Sequence, residues 1–572
     1  MSGTSGTSGV SGTGGRGAER TAPLPDALAR DLRRRLGEGG VITAPGTLLA
    51  WESDALPRFR RSPRAVLLPR NTEEAAWAVT RLVQAGIPLT PRGAGTGLSG
   101  GGVASPGGVL LATARMDRIL ELDRERRLAR VQAGVLNARL NAAAAPAGLR
   151  YPPDPSSQAA CTLGGNVAEN AGGPHCLKYG VTARYVTGVT VVTGGGEVVR
   201  LGGAGRCPEL DLAGLFVGSE GCLGLATELE LRLLPLARGV RTFLAVFPST
   251  EAAGSAVSAI IAAGLLPAAM EIMDRETIRA VEASAYAAGY PADAGAVLVV
   301  EFDGTPEGLE ADAERAGTLC REAGATQLRH ARDGVEREAL WQGRKKAYGT
   351  FGRMTPDLMV QDATVPRSAL PGVLRSIARI GEREGLRLAN VFHAGDGNLH
   401  PKILYDRRDP AQVARVERAS REIMRVCVQA GGTITGEHGV GLDKRGYMTL
   451  VHGPRELRLM AAVQRAFDPR GVWNPGKVLP DDLDGPAAAD GAEAEDGAPG
   501  VPGAKGALGR RAIRHAPPDL TVRCGAEVPF ADLDTLIRSK QTGRFQDMAD
   551  VENLEQVRRL EQERRPERRD RE

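Results

Sequence analysis

The chain has 572 residues with 73 basic and 69 acidic side chains, and a net charge of +4 is too balanced to indicate a nucleic-acid-binding surface. Its length predicts two or three domains, and no run approaches the ~18 apolar residues of an integral membrane segment. Seven scattered cysteines, none paired as C-x-x-C, are typical of reduced thiols in a cytoplasmic protein.

The first elements lead towards one glycine-rich segment. Residues 1–20 form a Gly/Ser/Thr tract that is predicted to be disordered, since it cannot bury a core. Hydrophobic spacing and capping residues then predict, in order, a helix over 25–36, a strand over 65–68, a helix over 72–85 and a strand over 87–90.

Six of the thirteen residues in the segment Thr90–Gly102 are glycine. Successive backbone N–H groups in such a loop can bind a phosphate. No lysine follows as in a Walker A loop. The spacing Gly95-x-Gly97-x-x-Gly100 matches a dinucleotide fingerprint, but that motif needs a helix, and the strand 109–112 follows instead. The alternative to a phosphate-binding loop is a flexible loop that binds no ligand.

Further glycine and proline segments follow this loop. Strands are predicted over 119–122 and 129–132 and a helix over 136–145. The irregular segments are Tyr151–Ser157 with Leu163–Gly173, and Phe216–Leu225, between strands over 186–193 and 226–234. Several such segments suit a long, extended ligand that is contacted at its diphosphate and at its ring.

Residues 60–240 resemble the FAD-binding domain of the vanillyl-alcohol oxidase/p-cresol methylhydroxylase superfamily, through the motifs Pro91–Gly101, Pro152–Pro155, Gly164–Gly173 and Gly218–Gly224. The resemblance implies that the first loop binds the pyrophosphate of FAD and that later segments line its adenine, ribose and isoalloxazine. The implied cofactor-binding residues are Pro91, Arg92, Gly93, Ala94, Gly95, Thr96, Gly97, Leu98, Ser99, Pro153, Ser157, Gly164, Gly165, Asn166, Asn170, Gly173, Gly180, Glu220, Gly221, Leu225 and Asn474.

The mode of FAD attachment is a separate expectation. Some members of this superfamily attach FAD covalently through a histidine in or near the first loop. Here Thr96 stands in that position, so we expect non-covalent FAD. His175 and Cys176 lie near the second glycine segment, and we interpret them as incidental.

From residue 241 the pattern changes to strands alternating with longer helices. The predicted elements are strands over 243–247 and 296–302 and helices over 252–263, 276–287 and 306–323. This alternation predicts an antiparallel sheet covered by helices on one side. The expected fold class is α+β, with a two-lobed FAD-binding (PCMH-type) domain and an α+β cap domain.

Three of the seven histidines fall in two short glycine-rich segments, His393–His400 and Gly436–Gly441. A lone histidine is usually structural. Two histidines in one turn and an adjacent Glu-His pair instead favour a His₂-carboxylate site for a catalytic divalent metal. If Glu437 and His438 lie on a strand, they point to opposite sides, so that one binds metal while the other moves a proton.

These segments resemble the FAD-linked oxidase C-terminal domain found in glycolate oxidase subunits and in D-lactate and D-2-hydroxyglutarate dehydrogenases. The matching stretches are Leu340–Lys345, Asp362–Arg367, His393–His400, Gly436–Gly441 and Phe467–Lys477. The resemblance implies that His393, His400 and Glu437 bind a metal (Zn, Mn or Fe). It also implies that His438 is the general base, that Arg344 pairs with the substrate carboxylate and that Asn398 helps to fix the substrate.

The expected function is therefore FAD-dependent oxidation of a small 2-hydroxy acid, glycolate or D-lactate. A D-2-hydroxyglutarate-type dehydrogenase is an alternative, which Met359–Gln361 argues against because some relatives carry a lysine just before the following aspartate. A flavin-holding, non-catalytic subunit is a second alternative. Because the chain has no iron–sulfur ligand cluster, the expected electron acceptors are iron–sulfur and second flavin subunits, a quinone or a cytochrome, and the expected location is cytoplasmic, at the inner face of the membrane through those partners.

The predicted domains are 1–20 (disordered tract), 21–240 (FAD binding), 241–480 (substrate and metal), 481–517 (disordered linker) and 518–572 (small helical extension). Within the extension, Val528–Leu554 resembles the closing segment of nucleotidyltransferase-like proteins. The paired aspartates of such a transferase are not visible, so we interpret the extension as a remnant or a docking appendage.

Overall fold

The computed structural model describes residues 22–203 and 211–483. The expectations for the tract 1–20, for the extension 518–572 and for nearly all of the linker 481–517 lie outside the described residues. We call residues 22–235 the N-terminal region and residues 239–483 the C-terminal region.

Two sheets form the centre of the N-terminal region. The first has the strand order β1-β2-β4-β3 and the second the order β5-β6-β10-β8-β9, while β7 and β11 form a separate pair. The strands are β1 (Val41–Ile42), β2 (Val66–Leu67), β3 (Leu89–Arg92), β4 (Val109–Ala112), β5 (Ile119–Asp123), β6 (Leu128–Gln132), β7 (Leu149–Arg150), β8 (Val186–Val192), β9 (Val198–Gly202), β10 (Leu225–Arg232) and β11 (Leu234–Pro235). The helices are α1 (Asp26–Leu36), α2 (Pro45–Leu48), α3 (Thr72–Gln84), α4 (Asn137–Ala144), α5 (Leu163–Glu169), α6 (Cys176–Tyr179) and α7 (Leu212–Phe216).

The glycine loop connects two strands, as the sequence predicted. It leaves β3 and enters β4, and these strands pair in parallel with Leu89 beside Val109. The helix before it is also confirmed, since the Asn71 side chain caps α3 by accepting a hydrogen bond from the Glu74 N–H at 2.8 Å. No helix lies between the loop and β4, so the loop is not a dinucleotide-binding turn of the Rossmann type.

One glycine segment of the N-terminal region differs from the prediction. Residues from Leu163 form the helix α5 and not a loop. Thr162 caps this helix, because its hydroxyl accepts a hydrogen bond from the Gly165 N–H at 3.2 Å. Asn170 then ends it in a left-handed conformation with φ of 49°. The cap and the terminator outweigh the low helix propensity of the two glycines inside.

A nine-stranded sheet forms the centre of the C-terminal region, and all of its pairings are antiparallel. Its main order is β15-β12-β14-β13-β18-β19-β17, and β20 pairs with β18 and with β16. The strands are β12 (Gly239–Phe247), β13 (Ala269–Asp274), β14 (Ala296–Gly304), β15 (Gln327–His330), β16 (Asp357–Val360), β17 (Ala363–Thr364), β18 (Arg387–His393), β19 (Asn398–Leu399) and β20 (Pro401–Tyr405). The helices are α8 (Thr250–Ala262), α9 (Arg275–Glu282), α10 (Pro306–Glu322), α11 (Gly334–Thr350), α12 (Leu370–Glu384), α13 (Pro410–Gln429) and α14 (Pro454–Phe467).

The expectation of helices on one side of this sheet is wrong. Alternate residues of β12 belong to two separate cores: Phe243 packs with α8, α10, α12 and α13, whereas Leu244 packs with α9 and α11. Both faces are therefore apolar and covered. The central strands are nearly continuous apolar runs, a pattern of two-sided burial.

The end of the C-terminal region returns to the N-terminal region. Trp473 is buried in the same core as α1 and α3. The Leu89 N–H donates to the Val472 carbonyl at 2.8 Å, and the Asn474 N–H donates to the Leu89 carbonyl at 2.7 Å. This segment lies beside β3, the strand that enters the glycine loop, and forms a parallel bridge with it at Leu89 and Trp473. No helix among the described residues has the length and apolar character needed to span a bilayer.

Candidate active site

A cavity of about 670 Å³ lies between the two regions. The glycine loop, α5 and the segment 216–226 line one wall, which we call the glycine wall. Residues from α11, β18, β20 and the loop around Glu437 line the other, which we call the charged wall. The size is within the usual range for a pocket that binds a cofactor and a small substrate.

The glycine wall is formed by backbone that approaches other backbone closely. A Cβ at Gly93 would lie 2.3 Å from the Thr162 hydroxyl oxygen. Gly221 has φ of 72°, and a Cβ there would lie 2.9 Å from Pro91 Cγ. Only glycine permits these contacts. The result is a long concave surface that fits an extended dinucleotide with a diphosphate at the loop.

Fifteen of the twenty-one predicted cofactor-binding residues line the cavity: Pro91, Arg92, Gly93, Ala94, Gly95, Thr96, Gly97, Leu98, Ser157, Gly164, Gly165, Asn166, Glu220, Gly221 and Leu225. The other six are not part of the lining: Ser99, Pro153, Asn170, Gly173, Gly180 and Asn474.

Some of the predicted residues stabilise the glycine wall from behind. The Asn474 amide donates to the carbonyls of Gly101, at 3.1 Å, and Glu220, at 2.8 Å. Arg92 donates to the Gly102 carbonyl at 3.0 Å and to the Ser53 carbonyl at 2.8 Å. The guanidinium therefore holds the loop closed and is already hydrogen-bonded within the protein.

On the charged wall, His393, His400 and Glu437 converge. Glu437 Oε1 lies 3.3 Å from His393 Nε2 and 3.2 Å from His400 Nε2. Both ring nitrogens of His400 are buried and lack a hydrogen bond of good geometry, although Nε2 approaches Glu437 Oε1. Such nitrogens are costly to bury without a partner. A divalent cation would satisfy them, so the three side chains fit a His₂-carboxylate metal site.

Glu271 supports this triad from the neighbouring strand. It is fully buried on β13, opposite His393 in the strand register, and its carboxylate lies 2.7 Å from His393 Nδ1. Burial opposes the charged imidazole, but Glu271 and Glu437 raise the pKa of His393 to about 10. A carboxylate behind a histidine fixes the ring orientation and increases its basicity towards a metal.

Glu437 and His438 do not lie on a strand, so the condition under which they would face opposite sides is not met. They lie in a loop whose backbone is bound by Asp362: the N–H groups of Gly436, at 3.1 Å, and His438, at 3.0 Å, donate to its carboxylate. The Lys444 ammonium donates to the same carboxylate at 2.8 Å. This anchor turns both Glu437 and His438 into the cavity.

His438 lies beside the triad. Its ring stacks on that of His400 with centroids 4.8 Å apart and planes 6° apart, and its Nε2 is 3.8 Å from Glu437 Oε1. Burial lowers the pKa of His438, despite the nearby carboxylates. A neutral imidazole next to a metal site can accept a proton.

Arg344 and Asn398 take different positions. Arg344 lines the cavity from α11, and its guanidinium nitrogens Nε, at 2.6 Å, and Nη2, at 2.5 Å, pair with Glu271. Asn398 is not part of the cavity lining. It packs behind the wall, and a Cβ at Gly436 would lie 2.2 Å from its Oδ1.

Sequence reasoning gave no role to the charges that support the triad, namely Glu271, Asp362, Lys402 and Lys444. A signal was present for two of them, because Glu271 and Lys402 each interrupt an apolar strand. Lys402 is among the residues that line the cavity, and burial lowers the pKa of its ammonium to about 7.

His175 does not line the cavity, but it has a structural role that the sequence did not predict. Its Nδ1 lies 2.7 Å from Asp154 in the N-terminal region, and its Nε2 lies 3.2 Å from Glu301 in the C-terminal region. The ring stacks on Trp341 of α11, with centroids 5.6 Å apart. His175 thus connects the two regions beside the helix that carries Arg344.

Comparison with known proteins gives two family matches. Residues 63–202 match the model described as "FAD binding domain". Residues 236–478 match the model described as "FAD linked oxidases, C-terminal domain". The first match contains the glycine loop and α5, and the second contains the charged wall.

The chain is similar to glycolate oxidase subunit GlcD of Escherichia coli K12, with 47% identity over 434 residues, 76% of this chain and 87% of that protein. It is similar to D-lactate dehydrogenase of Anaerostipes hadrus, with 34% identity and coverage of 73% and 89%. Among solved structures, p-cresol methylhydroxylase with substrate bound matches with a TM-score of 0.68 and 17% identity over 79% of this chain and 96% of that one. That likeness shows the fold.

Proposed function

The chain belongs to the FAD linked oxidases, and we propose that it oxidises a small 2-hydroxy acid, glycolate or D-lactate, to the corresponding 2-oxo acid. The similarity to glycolate oxidase subunits and D-lactate dehydrogenases supports this substrate class. The glycine wall provides the FAD site, and the charged wall provides the substrate site.

One observation carries the proposal: His393, His400 and Glu437 converge on the cavity opposite the glycine wall. These residues would hold a divalent metal. When bound, the metal would polarise the substrate hydroxyl and lower its pKa, and FAD would accept the hydride from C2. A flavin-holding, non-catalytic subunit would have no need of this intact set of side chains.

The chain's own residues then bind the substrate and move one proton. Arg344 keeps a guanidinium charge at the cavity, and Glu271 fixes its direction. We place the α-carboxylate of the substrate beside it. His438 accepts the hydroxyl proton, because its pKa is lowered by burial and the imidazole is neutral at pH 7. Asn398 packs against Gly436 and so positions the loop that carries Glu437.

FAD attachment and electron acceptors form the remaining part of the proposal. Thr96 lines the glycine wall where a covalent member would carry histidine, so we propose non-covalent FAD. The electrons then pass to a partner subunit, a quinone or a cytochrome.

The test is an anaerobic screen of glycolate, D-lactate, L-lactate and D-2-hydroxyglutarate, with loss of flavin absorbance as the signal. The proposal predicts rapid bleaching by glycolate or D-lactate. If purified protein binds FAD and none of the four acids bleaches it, the proposed activity is wrong. If the protein cannot be reconstituted with FAD, the assignment of the glycine wall is wrong.

A further inference from the structure

The cavity opens to solvent beside the C-terminal half of α11. Four residues of the C-terminal region both line it and are exposed: Tyr286, Lys346, Tyr348 and Gly349. We call these four residues the entrance. The proposed position of FAD along the glycine wall leaves this side of the cavity free, so a substrate would reach the charged wall past the entrance.

Three consecutive cations of α11 line the cavity at increasing depth. Lys346 is exposed, Lys345 is half-buried and Arg344 is buried. The Arg344 guanidinium pairs with Glu271 at 2.5 Å. Neither lysine forms an ion pair with a carboxylate in the part of the chain that the structure describes. The three side chains therefore form a path of positive charge from solvent towards the place proposed for the substrate carboxylate.

Aromatic rings position the two lysine ammonium groups. Lys345 Nζ lies 5.7 Å from the centroid of the Trp341 ring, and Lys346 Nζ lies 5.9 Å from that of the Tyr286 ring. A cation is attracted to the face of an aromatic ring at such a distance. Because a ring carries no net charge, it holds an ammonium group without neutralising it. Both lysines thus keep their charge for an anion that arrives from solvent.

Among the described residues, no exposed carboxylate lines the cavity beside these lysines. The carboxylates of the lining are buried or half-buried: Asp54, Glu169, Glu220 and Glu437. On α9, the carboxylate of Glu282 accepts hydrogen bonds from the N–H groups of Ala288, at 2.9 Å, and Tyr290, at 3.1 Å. A cleft whose rim carries one sign of charge concentrates ions of the opposite sign. The entrance therefore favours the approach of anions.

We propose that Lys345 and Lys346 attract the anionic substrate at the entrance and direct it to Arg344, so that they increase its rate of association and take no part in the chemical step. The proposal rests on the proposed function for the negative charge of the substrate. Salt should remove the effect, because the Debye length falls from about 30 Å at 0.01 M to about 3 Å at 1 M ionic strength. The two lysines are positioning residues for the proposed reaction.

Flavin bleaching by glycolate or D-lactate at low concentration tests the effect on the FAD-loaded full-length protein. Replacing both lysines, by Lys345→Met with Lys346→Met, should lower kcat/KM about 10-fold at about 0.01 M ionic strength and less than about 2-fold at about 1 M. We expect kcat at saturating substrate to change less than about 2-fold at either ionic strength. Arginine at both positions keeps the charges and should retain the wild-type kcat/KM. An equal loss at low and high salt would overturn the proposal.

Reduction by dithionite tests the entrance without a 2-hydroxy acid, since the reducing species is a small anion and the signal is again loss of flavin absorbance. The double methionine variant should be reduced about 10-fold more slowly than wild type at about 0.01 M ionic strength, and equally fast at about 1 M. The control pair Arg30→Met with Arg35→Met removes the same net charge from exposed positions of α1, outside the cavity lining, and should keep the wild-type rate. Equal slowing by both pairs would show that net charge alone acts, which would overturn the proposal.

The two proposals fail in different ways. If no 2-hydroxy acid bleaches the flavin but the two lysines accelerate reduction by dithionite, the activity is wrong and the role of the entrance stands. If glycolate or D-lactate bleaches the flavin at a rate that depends neither on salt nor on the lysines, the activity stands and the role of the entrance is wrong. If the double variant does not retain FAD, the wild-type protein decides, because rates that do not fall with added salt overturn the proposal.

Discussion

Glycines form one wall of the cavity, whereas buried charged side chains form the other. An added side-chain atom would distort the glycine wall, because a Cβ at Gly93 would overlap the Thr162 hydroxyl oxygen. Removal of a charged group would destabilise the charged wall, because Glu271 and Asp362 each compensate a buried cation. The first wall is shaped by steric limits on the backbone and the second by electrostatic compensation.

This difference determines which property of the protein a substitution in each wall should change. A substitution in the glycine wall should reduce cofactor binding and leave the charged wall intact. A substitution in the charged wall should reduce turnover or stability and leave bound FAD in place. Glu220 connects the two walls, since its carboxylate accepts hydrogen bonds from the N–H groups of Val440 and Gly441, each at 2.7 Å.

The largest expected effect is that of Glu437→Gln on turnover. The substitution removes one charged ligand from the proposed metal site, and loss of several kcal/mol of transition-state stabilisation corresponds to about 10³-fold in rate. Stopped-flow bleaching of the flavin measures the rate, and metal analysis measures occupancy. Flavin content should stay unchanged. The control Glu310→Gln, at an exposed position of α10, should keep both its flavin content and its rate. Full activity with no bound metal would show that the triad is structural.

Breaking the Asp362–Lys444 pair should have the next largest effect. Both residues are at most 1% exposed, so Lys444→Met leaves the buried Asp362 carboxylate without its cationic partner. We expect a loss of about 3 kcal/mol in the free energy of unfolding, from the usual cost of breaking a buried pair. Urea denaturation measures it.

Arg124→Met, at an exposed position between β5 and β6, is the control for stability and should change it by less than about 0.5 kcal/mol. Similar denaturation midpoints for the two variants would contradict a stabilising role of the buried pair. Because Asp362 holds the loop of Glu437, Lys444→Met should also lower turnover.

The sequence predicted the glycine wall better than the charged wall for a physical reason. Glycines required by close backbone contacts are contiguous, as in Gly93–Gly102, so they form a visible pattern. The histidines of the triad were also visible. Their supporting charges are not contiguous: Glu271 and His393 are 122 residues apart and meet only as neighbours across two strands.

Two local conformations were not predicted, for different reasons. The helix from Leu163 carries local signals, the Thr162 cap and the Asn170 terminator, but the two glycines inside it indicated a loop. The loop of Glu437 and His438 depends on a distant residue, because Asp362, 75 residues before Glu437, binds its backbone. That partner could not be assigned from local propensity. The helices on the second face of the C-terminal sheet were not predicted, although both faces of β12 are apolar.

Gly93→Ala tests the glycine wall. The new Cβ would displace the Thr162 hydroxyl, which caps α5, so both the loop and the helix should move. We expect FAD affinity to fall about 100-fold, which corresponds to about 2.7 kcal/mol. Flavin fluorescence on titration of apoprotein measures it. Gly46→Ala, where no atom lies within 4 Å of the new Cβ, should leave affinity unchanged. Unaltered FAD binding by Gly93→Ala would contradict the steric account.

The smallest effect concerns the contact between the two regions. Asp154 and Glu301 raise the pKa of His175 to about 10 against the opposing effect of burial, from an ordinary value of 6.5. The protonated ring therefore stabilises the folded state. This contribution is fully present below pH 6.5 and is lost as the pH rises through 10. We expect His175→Gln to cost about 2 kcal/mol at pH 6.5 and clearly less at pH 10.

Urea denaturation of both proteins across this pH range measures the difference, and Asp154→Asn should reduce it at pH 6.5 because His175 then loses one of its two carboxylates. A constant difference from pH 6.5 to 10 would mean that His175 acts by its shape alone, through the stack on Trp341. Because Trp341 and Arg344 share α11, loss of the charged contact should also raise KM for the 2-hydroxy acid more than it lowers kcat. The charged wall would then depend on a histidine that the N-terminal region supplies.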